Sequence, residues 1–328
     1  MKLVFAGTPE FARVSLEALV ESGRVPVAVY TQPDRPAGRG KKLSASPVKR
    51  YAQEHDIPVV QPSTLRDDDA IAALRALEPD FLVVAAYGLI LPQAVLDIPS
   101  QGCLNVHASI LPRWRGAAPI QAAILAGDET TGISLMRMTA GLDCGPVFHS
   151  AELAIGADET AGELHDRLAE LGGRTLVEHY DDIVTGRVQA VPQDDAVATY
   201  APKIDKHDAL IDWTLPAVEV ARRVRAYNPF PGAYTHTGGP PGVGGPSGPM
   251  GQSGLEPVPQ RTRVKIWRAA VADASGAPGE ILQFARNAIV VACGEGAVRL
   301  EELQLPGKRR APAREFVGQI DLAGQRLG

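Results

Sequence analysis

Short β-rich runs alternate with stretches of helical spacing over the first part of the chain. The runs at residues 2–6, 25–30 and 81–86 are apolar, and residues 11–20 and 70–77 between them repeat apolar residues at helical intervals. Strands that alternate with helices are joined by right-handed crossovers and form a mostly parallel sheet. The sequence therefore predicts a Rossmann-like α/β fold with helices on both faces of the sheet.

This pattern continues as far as a long helix at residues 160–185. Thr160 and Glu163 have the spacing of a capping box at its start. After the helix the chain becomes polar and loses its periodicity. We expect a first domain over residues 1–188, followed by a linker over residues 189–206 that crosses the surface of that domain.

The last third of the chain has a different pattern. Within residues 207–328, one helix at 216–225 is followed by short apolar runs that glycines punctuate. Closely spaced short strands are typical of a small antiparallel barrel, so we expect an OB-like β-barrel domain. Residues 237–259 are too rich in glycine and proline to support a packed element, and we expect a hairpin insertion there.

The composition is that of a globular protein, with 45% hydrophobic and 22% charged residues among 328. No apolar run reaches the roughly 18 residues of a membrane helix, and the first residues lack the pattern of a signal peptide. The three cysteines are widely separated and lack the spacing of a metal site. We therefore expect a cytoplasmic protein with no zinc site and no membrane partner. A net charge of −5 argues against a generally basic nucleic-acid surface but leaves room for a local basic patch.

The first strand is followed by Gly7, which raises the question of a dinucleotide-binding fold. That fingerprint needs three glycines at set spacing, whereas residues 5–11 contain Gly7 alone. We therefore expect no nicotinamide cofactor. Gly7 is either a simple strand-to-helix turn or part of a substrate pocket at the carboxyl ends of the strands.

Asn105, His107 and Asp143 are the candidates for chemistry. Asn105 and His107 lie two positions apart at the end of an apolar run, so on a strand both side chains leave the same face. Asp143 lies between Gly141 and Gly145, which permit a sharp turn close to another loop. The set suits attack of an amine on a carbonyl, with an amide donor for the oxyanion and two groups to manage the amine proton. The alternatives are a structural histidine at a strand end and an Asx turn at Asp143.

Residues 31–50 form a basic segment that contains a single acid, Asp34. Its prolines and glycines exclude a regular helix, so we expect a long loop after the second strand. Positive charge on such a loop suits a phosphate backbone, and the alternative is a solvated surface loop. The side chains that we expect to bind substrate here are Arg39, Lys41 and Lys42.

Two loops next to strand ends are suited to a flat ligand. Residues 86–92 leave the third apolar run, and residues 110–119, which include Trp114, come shortly after His107. Loops at one edge of a sheet can enclose a heterocycle and satisfy its polar edge with backbone groups. The alternative is that Trp114 simply covers the edge of the core.

Together these motifs resemble the folate-dependent formyltransferases. The resemblance rests on the three catalytic candidates, on the SILP segment at 109–112 and on the GLDCG loop at 141–145. The basic segment, the FAGTPEFA start and the AYGLILP loop at 86–92 are similar to the branch of that family that acts on charged initiator tRNA. The match extends over both domains, although the insertion at 237–259 is longer than the usual hairpin of the family.

The resemblance implies transfer of a formyl group from 10-formyltetrahydrofolate to the α-amine of methionine on initiator tRNA, with the second domain in contact with the tRNA. In that reaction Asn105 hydrogen-bonds the formyl oxygen, His107 polarises the same centre, and Asp143 orients His107. Phe11 meets the methionine side chain, and Arg39 lies in the segment that enters the acceptor end of the tRNA. The resemblance further implies that the pterin is held by Tyr87, Gly88, Leu89, Ile90, Leu91, Ser109, Ile110, Leu111, Pro112 and Leu142.

Two other functions stay open from the sequence. The same three residues would serve an enzyme that formylates an amino-sugar nucleotide or a glycinamide ribonucleotide, but a small acceptor needs neither the basic loop nor the barrel. A folate-regulated RNA-binding protein without activity would lack one of the catalytic candidates, and all three are present. We expect the enzyme to be a monomer.

Overall fold

The computed structural model describes residues 1–37, 42–238 and 262–328, and the chain divides into two compact units. The first unit comprises Met1–Ile120, Glu129–Ile155 and Leu164–Pro202, and the second comprises Gln121–Asp128, Gly156–Glu163 and Lys203–Gly328. Residues 189–202, which the sequence assigns to a linker, therefore belong to the first unit. The domain boundaries at 188 and 206 stay a prediction.

Within the described residues, the first unit is built on a seven-stranded sheet. Its strands and those of two short ribbons are β1 (Leu3–Gly7), β2 (Ala28–Tyr30), β3 (Arg35–Ala37), β4 (Lys42–Ser44), β5 (Val59–Val60), β6 (Phe81–Ala85), β7 (Cys103–His107), β8 (Arg115–Gly116), β9 (Thr130–Arg137), β10 (Val147–Ala154) and β11 (Tyr200–Ala201). The sheet order is β10-β9-β7-β6-β1-β2-β5. In this order, all neighbouring strands between β7 and β5 pair in parallel. Strand β9 is antiparallel to both of its neighbours, β7 and β10. The predicted mostly parallel sheet is confirmed.

Helices cover both faces of this sheet. Along this part of the chain the helices are α1 (Glu10–Glu21), α2 (Pro47–Glu54), α3 (Asp68–Ala76), α4 (Gln93–Leu96), α5 (Pro119–Ala126) and α6 (Ala161–Val184), and most of α5 belongs to the second unit. Phe81 on β6 contacts Tyr180 of α6 edge to face, with ring centroids 5.9 Å apart. Leu82, the next residue, packs in a buried cluster with Leu74 of α3 and Val95 of α4. Because successive side chains on a strand point to opposite faces, α6 and the α3–α4 pair lie on opposite sides of the sheet.

Helix α6 begins at the predicted capping box. The Thr160 N–H donates to Glu163 Oε2 at 2.8 Å, and the Glu163 N–H donates to Thr160 Oγ1 at 3.3 Å. These bonds satisfy two of the amide groups that a helix start leaves without partners. The hydrogen bonds from Thr160, together with Arg268 at 2.6 Å, lower the pKa of Glu163 to about 2.

The second unit contains an antiparallel sheet and α7 (Ala217–Ala226) and α8 (Ala313–Phe316). Its strands are β12 (Tyr234–His236), β13 (Arg263–Ala272), β14 (Ile281–Ala285), β15 (Ala288–Ala292), β16 (Ala297–Gln304) and β17 (Ala311–Pro312). The order is β12-β13-β16-β15-β14, with β17 also on β16. Isolated bridges join Leu327 to Thr237 beside β12 and Arg326 to Glu280 beside β14. The change to antiparallel strands is confirmed, and closure into a barrel stays a prediction.

One buried cluster forms the core of the second unit. Val220 and Val224 of α7 pack in it with Ile266 of β13 and Leu300 of β16. The predicted insertion at 237–259 lies outside the described residues from residue 239 onward. Among the helices of the described residues, none combines the length and apolar content needed to cross a bilayer.

Candidate active site

Strand β7 presents Asn105 and His107 on one face of the sheet. Both are nearly buried, with 9% and 6% of their surfaces exposed. Val106 between them points to the other face, where a side chain at Gly172 of α6 would meet its Cγ1 atom. The period of two along the strand, which the sequence predicts, therefore places both polar side chains together.

Asp143 reaches these two side chains from the loop between β9 and β10. Its Oδ1 accepts a hydrogen bond from Asn105 Nδ2 at 3.4 Å, and its Oδ2 lies 3.8 Å from His107 Nδ1. Leu104 of β7 pairs with Arg137 at the end of β9, so the loop leaves the sheet toward the amino end of β7. It therefore folds back over the sheet face to bring Asp143 to His107. The structure thus brings together the three residues that the sequence predicts as catalytic.

Packing requires a glycine at position 145, two residues after Asp143. A Cβ atom at Gly145 would overlap the carbonyl oxygen of Arg137 on β9. Asp143 itself has a φ of 47°, which is uncommon for a residue with a side chain. The sequence predicts an approach to another loop, whereas Gly145 lies against the end of β9, the strand from which its own loop leaves.

Gln193 holds the same loop from the other side. Its Nε2 donates to the carbonyl oxygens of Asp143 and Gly145 at 2.8 and 2.7 Å. Its Oε1 accepts from Nε of the buried Arg115 at 3.0 Å, which orients the amide. The Asp143 carboxylate also receives the N–H of Gly116 at 2.9 Å on Oδ2. Backbone and carboxylate of Asp143 are therefore both positioned by hydrogen bonds from distant segments.

The contacts of His107 determine which ring nitrogen can exchange a proton. Its Nε2 lies 3.0 Å from the carbonyl oxygen of Trp114. A carbonyl oxygen only accepts, so Nε2 carries a hydrogen. In the neutral ring Nδ1 is then an acceptor, and it faces the Asp143 carboxylate.

The segment after β7 is held by a hydroxyl network. Ser109 is fully buried, and its Oγ donates to the Arg113 carbonyl at 2.6 Å. Ser134 of β9 donates to the Ser109 carbonyl at 2.8 Å and accepts the Leu111 N–H at 3.0 Å. Farther along, β8 pairs with β11 in parallel. These bonds fix the turn that carries the Trp114 carbonyl against His107.

The residues predicted to hold the pterin lie in three segments of the first unit. Tyr87 and Leu91 are buried in a core cluster against which Leu89 packs, so these side chains stabilise their own loop. Ile90 and Leu142, by contrast, are 67% and 63% exposed. The remaining members are the exposed Gly88, the buried Ser109 and Leu111, and the half-buried Ile110 and Pro112.

Of the four residues predicted to bind the acceptor, the structure describes Phe11 and the backbone of Lys42. Phe11 is 4% exposed at the start of α1, and its ring lies 5.9 Å from that of His165 in α6. Lys42 is the first residue of β4, whereas Arg39 and Lys41 lie outside the described residues. Substrate contacts by these four residues stay predictions.

Sequence reasoning missed three parts of the site. They are the side chain of Gln193, the N–H of Gly116 and the carbonyl of Trp114. Gln193 lies in the segment interpreted as a linker, and the other two are backbone groups that any residue provides. No signal in the sequence marks them. Among the described residues, no cluster of three or more His, Cys, Asp or Glu could hold a metal ion.

Asn105, His107 and Asp143 converge at the face of a mostly parallel sheet, and comparison with known proteins specifies the class of protein. A model of the formyl transferase family matches residues 1–180, and a model of the formyl transferase C-terminal domain matches residues 203–320. The chain belongs to the formyl transferase family.

Named relatives agree with this assignment. A protein of Pseudomonas fluorescens named methionyl-tRNA formyltransferase is 52% identical over 94% of this chain and 89% of its own length. One of Methylococcus capsulatus with the same name is 49% identical over 100% of both chains.

Solved structures at low identity share the fold. A sugar 3N-formyl transferase crystallised with dTDP and 5-N-formyl-THF has a TM-score of 0.64 and 16% identity, covering 94% of this chain and 99% of that one. HypX from Aquifex aeolicus, in complex with tetrahydrofolic acid, has a TM-score of 0.61 and 17% identity, covering 98% of this chain and 48% of that one.

Proposed function

We propose that this chain transfers the formyl group of 10-formyltetrahydrofolate to the α-amine of methionine esterified to initiator tRNA. Relatives that match it at 49–52% identity over most or all of their length are named for formylation of methionyl-tRNA. The observation that carries the chemistry is the convergence of Asn105, His107 and Asp143 on one face of β7.

The donor site that we propose suits a flat heterocycle with apolar faces and a polar edge. Large aliphatic side chains are usually buried, whereas Ile90 and Leu142 are largely exposed on two loops of the first unit. Exposed apolar groups beside backbone donors and acceptors are what a pterin requires. We assign the pterin to residues 87–91, 109–112 and Leu142. When bound there, the donor supplies the formyl carbon that the amine attacks.

We assign proton transfer to His107 and Asp143. As the amine nitrogen forms its bond to the formyl carbon, His107 Nδ1 accepts the proton that the amine loses. The Asp143 carboxylate, 3.8 Å away, stabilises the imidazolium. The same proton then passes to the nitrogen of the donor whose bond to the formyl carbon breaks. Hydrogen bonding of Nε2 to the Trp114 carbonyl keeps the ring oriented throughout.

We assign stabilisation of the formyl oxygen to Asn105. Its amide carries two N–H groups, and one of them donates to Asp143 Oδ1. That bond orients the amide, so the second N–H can donate to the oxygen as it becomes negative. A donor of this type contributes roughly 3 kcal/mol to transition-state stabilisation in other enzymes.

We assign the acceptor end of the RNA to the basic segment. Lys49 pairs with Asp34 at 2.8 Å and is largely buried, so it has a structural role. We expect Arg39, Lys41 and Lys42 to contact phosphates. We expect Phe11 to contact the methionine side chain. We further propose that the second domain, residues 207–328, contacts the tRNA and that the enzyme is a cytoplasmic monomer.

Formyl transfer from 10-formyltetrahydrofolate tests the function. The acceptors compared are methionine-charged initiator tRNA, free methionine and an amino-sugar nucleotide. We expect transfer to the charged tRNA alone. Transfer only to the sugar nucleotide would retain the chemistry and reject the proposed acceptor. His107→Gln and Asp143→Asn measured beside wild type should each lose most turnover, and near-normal kcat in either would reject the assigned proton transfer.

A further inference from the structure

Gln32 joins two neighbouring segments of the first unit through both ends of its side-chain amide. Its Nε2 donates to the carbonyl oxygen of Tyr87 at 2.9 Å, and its Oε1 accepts from Arg35 Nη2 at 2.5 Å. A carbonyl only accepts and a guanidinium only donates, so the amide has one possible orientation. Gln32 therefore connects the turn after β6 with residues 31–35 at the start of the basic segment, which we call its stem.

The contact with the turn after β6 is close. Gly88 has a φ of 79°, and a Cβ atom there would overlap Gln32 Nε2. The Tyr87 carbonyl also accepts a hydrogen bond from the Thr8 hydroxyl at 2.9 Å. That hydroxyl in turn accepts one from the backbone N–H of Gln32 at 3.4 Å. The strands β6, β1 and β2 are adjacent in the sheet, so three neighbouring turns meet at the Tyr87 carbonyl.

The stem of the basic segment is held from the other side by an ion pair. Both carboxylate oxygens of Asp34 accept from Lys49 Nζ, at 3.0 and 2.8 Å. Gln61 Nε2 donates to Asp34 Oδ1 at 2.8 Å and to the Gln32 carbonyl at 2.9 Å. Gln32 thus belongs to one hydrogen-bonded unit with the stem, and its amide extends that unit to Tyr87.

We propose that Gln32 is a positioning residue that sets the stem of the basic segment relative to residues 87–91, so that donor and RNA acceptor meet in a reactive geometry. This proposal rests on the proposed function, in which residues 87–91 hold the pterin and the basic segment binds the RNA. The side chain acts through Tyr87 and Arg35 and does not touch the reacting atoms.

Gln32→Glu separates the two halves of this connection. The carboxylate still accepts from Arg35, and more strongly because it is charged. It cannot donate to the Tyr87 carbonyl, against which it places a negative oxygen. Gln32→Leu removes both bonds. Gln283→Glu in β14 of the second unit is the matched control, since that side chain is exposed and donates only to Asn287, at 3.5 Å, among described residues.

Steady-state kinetics tests the proposal. We expect kcat of Gln32→Glu to fall about tenfold, because misplacement of reacting groups acts on the chemical step. The KM for each substrate should stay within about twofold of wild type, since neither binding surface is altered. A Gln32→Leu/Arg35→Met double variant should lose little more than Gln32→Leu alone, because the two residues act as one unit. An unchanged kcat, or a loss matched by a large fall in Tm, would overturn the proposal.

Hydrogen exchange of the free protein separates this proposal from the proposed function. Faster exchange of residues 86–91 in Gln32→Glu than in Gln283→Glu supports the connection, and equal rates overturn it. If wild-type protein formylates a different amine, the proposed acceptor fails, and the kcat comparison is made with that amine. If it formylates none, the proposed function fails, and the exchange rates alone decide whether Gln32 positions this turn.

Discussion

Gln193 donates through one nitrogen to the carbonyl oxygens of both Asp143 and Gly145, at 2.8 and 2.7 Å. The two acceptors lie on either side of Cys144, so a single side chain clamps the turn that presents the Asp143 carboxylate. Fifty residues separate Gln193 from Asp143 along the chain. The segment interpreted as a linker therefore contributes to the geometry of the site.

Gln193→Glu should weaken this clamp selectively. The carboxylate retains an acceptor for Arg115 but loses both donations to the loop. Two hydrogen bonds of this kind contribute about 2 kcal/mol, so we expect kcat to fall at least ~10-fold. Gln189→Glu is the control, because Gln189 is exposed and donates to the Gly186 carbonyl at 3.1 Å. Equal kcat values for the two variants would contradict a role of Gln193 in the site.

Gly145→Ala should displace the loop that carries Asp143. The added Cβ would overlap the carbonyl oxygen of Arg137, a backbone atom at the end of β9. Because the strand is held in the sheet, we expect the loop to move. A displacement of about 1 Å at Asp143 can reduce kcat ~100-fold. Gly318→Ala is the control, since its Cβ would lie an ordinary 3.5 Å from the Glu315 carbonyl oxygen. Kinetics and Tm of both variants are compared, and a normal kcat for Gly145→Ala would show that the loop tolerates the methyl group.

The capping box of α6 should make stability depend on pH in the acid range. Hydrogen bonds from Thr160 and the Arg268 ion pair lower the pKa of Glu163 to about 2 from 4.5. A lowered pKa stabilises the fold above pH 4.5, and this contribution disappears as the pH falls toward 2. The carboxylate is half exposed, so solvent screening limits the contribution to about 1 kcal/mol.

Glu163→Gln tests this, because glutamine retains the capping geometry without the charge. We expect the free energy of urea unfolding to differ between wild type and variant at pH 7 and the difference to disappear as the pH falls to about 2 and below. Glu170→Gln, an exposed position on the same helix, provides the reference. A difference that persists unchanged at low pH would rule out the carboxylate charge as its source.

The insertion should be replaceable by a short turn. Its flanks are joined, because the Thr237 N–H donates to the Thr262 carbonyl at 3.0 Å and the Thr262 N–H donates to Thr237 Oγ1 at 3.1 Å. Since the register places Thr237 opposite Thr262, a two-residue Asn-Gly turn in place of residues 238–261 is compatible with the β12–β13 pairing. We expect Tm and kcat to stay near the wild-type values. A raised KM for charged tRNA would show that the insertion takes part in RNA binding.

Replacement of Arg39 and Lys41 by alanine should reduce the salt dependence of tRNA use. Each phosphate contact contributes up to about 0.9 to the slope of log K against log salt, so the double variant should have a slope lower by as much as about 2. The slope is obtained from KM for charged tRNA across a salt series. Arg66→Ala, an exposed position outside the basic segment, serves as control. A slope equal to that of the control would remove these residues from the interface.

Local spacing predicts much of this fold. Thr160 and Glu163 meet because residues three apart at a helix start are neighbours. Asn105 and His107 share a face because side chains alternate along a strand. The parallel sheet follows from the alternation of strands and helices. Each of these features depends on interactions within a few residues or on a repeating pattern, and both are present in the sequence itself.

From the sequence, Asn105, His107 and Asp143 are identified as the candidates for chemistry, and the kind of element on which each lies is predicted. Only the tertiary structure decided that Asp143 reaches His107 by folding back from the amino end of β7, and that Gln193, Gly116 and the Trp114 carbonyl hold the pair in place. The physical reason is that these contacts join segments far apart in the chain, two of them through backbone groups. Backbone groups are the same in every residue, so their placement depends on strand register and loop packing rather than on side-chain identity.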